Sequence, residues 1–107
     1  MNDMAQQEKY IRPLKLQKVP EQMQLDVGII VARVGIMLRL TDEDVIDLML
    51  GGDCVTKLGQ RVEADKVRSK YEFELVKLDL QKDWVDARMK DFDFATDTLR
   101  RANDKSE

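Results

Sequence analysis

The sequence has no histidine, one cysteine, two prolines and five glycines among its 107 residues. Without histidine, it lacks the commonest general base and metal ligand. Its one cysteine, Cys54, can form neither an intramolecular disulfide nor a thiol cluster for zinc. Two prolines and five glycines are too few for the many turns of a β-sandwich or barrel. These absences favour a helical protein that is not an enzyme.

Long hydrophobic runs and an excess of positive charge are also missing. The most hydrophobic stretch, residues 27–40, is interrupted by Arg33 and Arg39 and is shorter than the ~20 residues needed to span a bilayer. The first residues include Asp3 and Glu8, which is unlike a secretory signal. The net charge is −3, so nothing draws the whole chain toward nucleic acid or an anionic membrane. We therefore expect no membrane insertion and a location in the cytoplasm or within a particle assembled inside a cell.

Residues 27–40 contain a short repeat with a period of seven residues. Seven residues are two helical turns, which would place Val27, Val31, Val34 and Leu38 on one face. The β-branched residues and two glycines of this segment weaken the prediction of a helix, so a buried pair of strands is the alternative. The repeat favours a helix, and the apolar content all round predicts the most buried part of the fold.

The next segment carries clear signals for the start and end of a helix. Thr41 is a good N-cap, and Asp44 stands at the reciprocal position of a capping box. Gly51 and Gly52 are typical of a helix C-terminus, and Asp53 is well placed to cap the following helix. The acidic cluster is explained by capping and has no calcium-loop glycine, so we predict neither a metal nor another cofactor; its members are Asp42, Glu43, Asp44 and Asp47.

A helix from about residue 54 to 102 is the strongest prediction from the pattern, because this span has no proline and only Gly59 as a possible kink. At 100° per residue its apolar side chains form two separate stripes, and a helix packed on one neighbour needs only one. The second stripe implies a partner. Where the stripes overlap, we predict that both contact partner helices, as in a coiled coil, through Tyr71, Phe73, Leu75, Val76, Leu78, Leu80, Trp84, Val85, Met89, Phe92 and Phe94.

Residues 1–24 are predicted to form an extended basic arm, because apolar and polar residues roughly alternate between Ile11 and Val19. The arm could be a loose tail or could dock on a neighbouring subunit. Its positive charges could follow nucleic-acid phosphates or meet the acidic cluster in this chain or its neighbour; they are Lys9, Arg12, Lys15 and Lys18.

Together these patterns predict an all-α fold with an N-terminal arm, two short helices and one long C-terminal helix, completed as a bundle by oligomerisation. The arm spans residues 1–24, the helical domain 25–103 and a polar tail 104–107. The function expected is a structural, assembly or adaptor subunit of a larger complex, such as a phage or virus particle or a secretion apparatus. Its partners would be copies of itself or other protein subunits. Two alternatives are a nucleic-acid-associated regulator that uses the arm, and a small chaperone or anti-factor that shields a partner's hydrophobic segment.

Overall fold

Five helices and one short β-hairpin make up residues 11–104, the part of the chain that the computed structural model describes. The two strands are antiparallel, with Cys54 opposite Val62. The mostly helical fold confirms the expected class, with the hairpin as an addition. In chain order the elements are α1 (Leu14–Gln17), α2 (Glu21–Leu38), α3 (Asp42–Met49), β1 (Cys54–Val55), β2 (Arg61–Val62), α4 (Ala64–Lys77) and α5 (Lys82–Asn103).

Helix α2 runs through the centre of the fold and settles the choice between helix and strands for residues 27–40. Val27, Val31 and Val34 are completely buried on its inner face, as the seven-residue repeat predicts. The outer face does not follow the prediction, because Ile29 and Ile36 are 49% and 77% exposed. Helix α2 is therefore buried on one side and apolar on both.

The end of α2 depends on an unusually close approach of the backbone to Gly35. Arg39 adopts the left-handed conformation (φ 61°) and ends the helix. The chain then turns back, so that the Leu40 amide donates a hydrogen bond of 2.8 Å to the Gly35 carbonyl. A Cβ atom on Gly35 would lie 2.7 Å from the Leu40 carbonyl oxygen. Only glycine leaves room for this contact.

Helix α3 begins and ends where its caps predict. The Thr41 hydroxyl accepts a hydrogen bond of 3.1 Å from the Asp44 amide, which satisfies one of the free amides of the first turn. At the other end, the Gly52 amide donates to the Asp47 carbonyl at 2.9 Å, and Gly51 has a positive φ of 99°. Both predictions about this helix are confirmed.

A long C-terminal helix is present as α5, but the single helix predicted over residues 54–102 is wrong, because the helix is interrupted in two places. Residues 54–62 form the hairpin, in which Gly59 has a φ of 83° and lies in the turn. A second break at residues 78–81 separates α4 from α5, and Asp79 there has a φ of 60°. Aspartate tolerates this left-handed conformation better than most residues. Because of this break, α5 folds back along α4. The apolar side chains of one predicted stripe are therefore divided between the two helices and pack against each other.

The prediction of an extended arm over residues 1–24 is also wrong for residues 11–24, the part of that span that the structure describes. Residues 14–17 form α1, α2 begins at Glu21, and the side chains of Leu16 and Val19 are 1% and 2% exposed. Pro13 and Pro20 precede the first turns of the two helices, where proline is well tolerated. Their apolar neighbours join the chain's own core.

No helix within residues 11–104 is both long and apolar enough to cross a membrane.

Candidate interaction surfaces

The eleven side chains predicted to bind a partner divide into a buried group and an exposed group. The buried group forms part of the chain's own core, with the rings of Tyr71 and Phe92 stacked at 5.7 Å. The prediction that these five side chains bind a partner is therefore wrong. The turn at residues 78–81 brings α5 of the same chain against α4, so α5 takes the place of the partner helix. The core group is Tyr71, Leu75, Val85, Met89 and Phe92, and the exposed group is Phe73, Val76, Leu78, Leu80, Trp84 and Phe94.

Helix α2 contributes exposed apolar side chains that the sequence pattern did not single out. Leu25, Ile29 and Ile36 are 63%, 49% and 77% exposed. Their spacings of four and seven residues place them along one face of the helix. For Ile29 and Ile36, the apolar residues on every side of segment 27–40 predict complete burial, whereas Leu25 lies before that segment.

An ion pair joins this face of α2 to α5. The Arg33 guanidinium lies 3.5 Å from the Asp91 carboxylate, and Arg88 approaches the same carboxylate at 2.9 Å. Arg88 also lies over the Trp84 ring, 5.3 Å from its centroid, in a cation–π contact. Phe94 follows Asp91 by three residues and therefore lies beside it on the helix.

These residues form one surface across two packed helices. Ile29 and Ile36 flank Arg33 at spacings of four and three residues, which are neighbouring positions on a helix. Trp84 and Phe94, which are 57% and 39% exposed, flank the carboxylate side of the pair. We call this surface the α2–α5 face; it comprises Leu25, Ile29, Arg33, Ile36, Trp84, Arg88, Asp91 and Phe94.

Beneath this face, one core side chain carries a polar group without a regular partner. The Tyr71 hydroxyl is buried and makes no hydrogen bond of regular geometry to any described residue, although the Arg33 guanidinium lies close enough to interact with it. Burial raises the pKa of Tyr71, and the nearby Arg33 guanidinium opposes that rise. The ring belongs to the core and the hydroxyl points toward the α2–α5 ion pair.

A cleft of about 940 Å³ opens elsewhere on the molecule, between the end of α2, the hairpin and α4. Its apolar walls include Leu58 at the tip of the hairpin turn and Phe73 on α4. Two acidic side chains, Asp44 and Glu74, also line it. We call it the basic cleft, because its walls carry five cationic side chains: Arg39, Lys57, Arg61, Lys70 and Lys77.

Asp53 fixes the hairpin to α4 and thereby shapes the basic cleft. Its carboxylate accepts a hydrogen bond of 2.9 Å from the Ala64 amide at the start of α4 and pairs with Arg61 at 2.8 Å. The bond from Ala64 lowers the pKa of Asp53, and Arg61 adds to that effect. The prediction that Asp53 is the N-cap of a helix beginning beside it is wrong, because a strand follows Asp53 and the N-cap of α4 is Glu63. Asp53 instead bonds to the first residue of α4 from eleven positions away.

Arg68 and Asp93 hold α4 against α5. The guanidinium donates two hydrogen bonds to the carboxylate, at 2.8 Å and 2.9 Å. This fork-to-fork geometry is the strongest arrangement of the two groups. The hydrogen bonds from Arg68 lower the pKa of Asp93 and those to Asp93 raise the pKa of Arg68.

Cys54 is a buried side chain of β1 and does not start a helix. Burial raises the pKa of its thiol, and the negative charges of Asp44, Asp47 and Asp53 raise it further. A thiol with a raised pKa is a poor nucleophile at neutral pH. Cys54 is 8% exposed and contributes to the packing of the core.

The four cationic side chains predicted to act from the arm have different positions in the structure. Lys9 lies outside the described residues. Lys15 pairs with Asp47 at 2.8 Å, so part of the arm's charge meets the acidic cluster of the same chain, one of the alternatives above. Arg12 and Lys18 are exposed.

Among residues 11–104, no group of three or more cysteine or acidic side chains is arranged to hold a metal ion. No protein-family model matches the chain. No curated protein and no solved structure matches it either. Its surfaces are therefore the basis for the proposed function.

Proposed function

We propose that the protein is a non-enzymatic assembly or adaptor subunit whose copies associate through the α2–α5 face. One observation carries the proposal: this face stays exposed and apolar although the chain already has a core of its own. The exposed fractions of Ile36 and Trp84 are 77% and 57%. Large aromatic side chains such as Trp84 are characteristic anchors of protein interfaces.

The amount of apolar surface fits an interface between two copies. Trp84 and Phe94 together expose on the order of 200 Å², from areas of roughly 150–250 Å² for a whole aromatic side chain. The three aliphatic side chains of α2 bring the total to roughly 500 Å², near the upper end for the largest apolar patch of a monomer. A standard interface covers about 800 Å² on each partner and is rather more than half apolar.

The charges of the face also suit self-association. Arg33, Arg88 and Asp91 supply both signs of charge at its centre. A two-fold axis would bring the same surface of a second copy against it. In that arrangement Asp91 of one copy can approach an arginine of the other, while the apolar side chains on either side exclude water.

The test compares Trp84→Asp with Leu14→Asp at a concentration where the wild type is assembled. Leu14 is 76% exposed but lies on α1, beside Glu43 and Ile46. Light scattering should give the 12.4 kDa mass of one chain for Trp84→Asp and the wild-type mass for Leu14→Asp. Circular dichroism should show the same helix content in all three proteins, because both side chains are outside the core.

Ile36→Asp provides a second disruption of the face from α2. It should also reduce the mass to that of one chain. If both Trp84→Asp and Ile36→Asp keep the wild-type mass, the α2–α5 face is not the site of association.

A further inference from the structure

The basic cleft carries cationic side chains that form no ion pair within the described part of the chain. Arg39, Lys57 and Lys70 form no ion pair with any residue between 11 and 104. They come from three different elements: the end of α2, the hairpin turn and α4. Arg61 and Lys77 are already paired with carboxylates of the chain. On a protein with a net charge of −3, this is a local concentration of the opposite sign.

Apolar side chains stand among these charges. Leu58 is 93% exposed and Phe73 is 60% exposed, and they line the cleft from the hairpin and from α4. The Lys77 ammonium lies 5.1 Å from the centroid of the Phe73 ring. A ligand that fits the cleft must therefore combine negative charge with an apolar group.

Arg39 occupies a position where the backbone favours glycine. It has a φ of 61°, and the left-handed residue that ends a helix is most often glycine. Strained non-glycine residues are concentrated at functional sites. At Arg39 the strain places a guanidinium on the wall of the cleft.

We propose that the basic cleft binds an acidic peptide segment of a partner protein, with an apolar side chain of that segment against Leu58 and Phe73. Carboxylates of the peptide would pair with Arg39, Lys57 and Lys70. Complementary charges of this kind set specificity and the rate of encounter. The site is separate from the α2–α5 face, so it gives the subunit a second binding activity that does not depend on self-association.

The mixed charges of the walls favour a peptide over nucleic acid. Asp44 and Glu74 lie among the cations. A single-stranded nucleic acid carries a charge at every phosphate and would meet both carboxylates. A peptide can place neutral side chains opposite them.

The test measures fluorescence anisotropy with a short fluorescein-labelled peptide of glutamates and leucines. Matched probes replace the glutamates by lysines or the leucines by alanines, and a labelled oligothymidylate represents nucleic acid. The variant Lys57→Glu/Lys70→Glu reverses two charges of the cleft. Its control, Lys66→Glu/Lys90→Glu, makes the same change in net charge at exposed lysines outside the cleft.

We expect the glutamate–leucine peptide to bind the wild type better than the other three probes. The cleft variant should lower its affinity at least about tenfold, and the control less than about twofold. Trp84→Asp should bind the peptide as the wild type does, which separates this activity from assembly. Arg39→Gly should lower the affinity while raising the melting temperature, because it removes a cation and relaxes the backbone.

Three results would overturn the proposal. One is equal loss of affinity in the cleft variant and its control. Another is tighter binding of the oligothymidylate, with a loss on changing Lys57 and Lys70, which would assign the cleft to nucleic acid. The third is no binding of the glutamate–leucine peptide up to about 1 mM.

Discussion

Replacing Gly35 by alanine would place a methyl group against the backbone that follows α2. The new Cβ would lie 2.7 Å from the Leu40 carbonyl oxygen and 3.7 Å from a methyl carbon of Val45. Leu40 cannot shift freely away from α2, because its amide is bonded to the Gly35 carbonyl. The substitution must therefore displace the connection between α2 and α3.

The expected change in the free energy of unfolding combines one stabilising contribution with two destabilising ones. Alanine in a helix interior is about 1 kcal/mol more favourable than glycine. Overpacking costs about 1–3 kcal/mol, and a weakened hydrogen bond adds about 1 kcal/mol. We expect a net destabilisation of about 1–3 kcal/mol for Gly35→Ala, or a decrease in the melting temperature of roughly 5–20 °C for a domain of this size.

Gly28→Ala is the matched control within the same helix. Its Cβ would lie 3.5 Å from a methyl carbon of Leu16, which is an ordinary contact. Here the gain in helix propensity has no steric cost, so we expect stabilisation of about 0.5–1 kcal/mol. Thermal and urea unfolding followed by circular dichroism, at one protein concentration, measures both variants. If Gly35→Ala stabilises the protein as much as Gly28→Ala does, the close approach of Leu40 is not part of the fold.

Two further predictions concern polar groups. Tyr71→Phe removes a buried hydroxyl that has no regular partner among the described residues, so urea unfolding should show stability unchanged or raised by about 1 kcal/mol; a loss above about 1 kcal/mol would mean that the hydroxyl is bonded. Asp93→Asn should cost roughly 0.5–1 kcal/mol at pH 7. Because Arg68 lowers the pKa of Asp93 below its usual 3.8, the stabilisation is present above that pH and is lost as the pH falls through the lowered pKa. The unfolding midpoints of wild type and variant should therefore converge in acid, and a constant difference down to pH 2 would contradict this.

The parts of the fold that the sequence predicts are those specified by local chemistry. Thr41, Asp44 and the Gly51–Gly52 pair mark the ends of α3, because caps act within one helical turn. The inner face of α2 follows from the spacing of its valines. Each signal needs only neighbouring residues to be interpreted.

The break between α4 and α5 is different, since no local signal marks it. Residues 78–81 contain neither glycine nor proline, and the chain turns there through the left-handed conformation of Asp79. Tyr71 of α4 stacks on Phe92 of α5 across this break, and helical periodicity cannot predict such a contact. Periodicity likewise extends the predicted helix through the hairpin around Gly59.

These long-range contacts also changed the candidate site. The apolar side chains of the buried stripe pack against one another across α4 and α5, which leaves Trp84 and Phe94 as the exposed large apolar side chains of α5. The exposed apolar face of α2 lies mostly in residues 27–40, where apolar residues on every side of the helix do not indicate which face is exposed. The basic cleft combines residues from three elements whose arrangement depends on Asp53 bonding to Ala64. The two apolar stripes of the sequence predict an unpartnered surface, but only tertiary packing determines which of its residues stay exposed.

Self-association of the folded chain through the α2–α5 face is the claim on which the proposed function depends. The most direct measurement is the mass of the wild-type protein by sedimentation equilibrium, from about 1 μM to about 1 mM. We predict a mass that rises with concentration from 12.4 kDa to a multiple of it. Over the same range, a soluble quencher should reduce the fluorescence of Trp84 less and less, because association buries its side chain. A mass of 12.4 kDa at every concentration, with Trp84 equally accessible throughout, would contradict the claim.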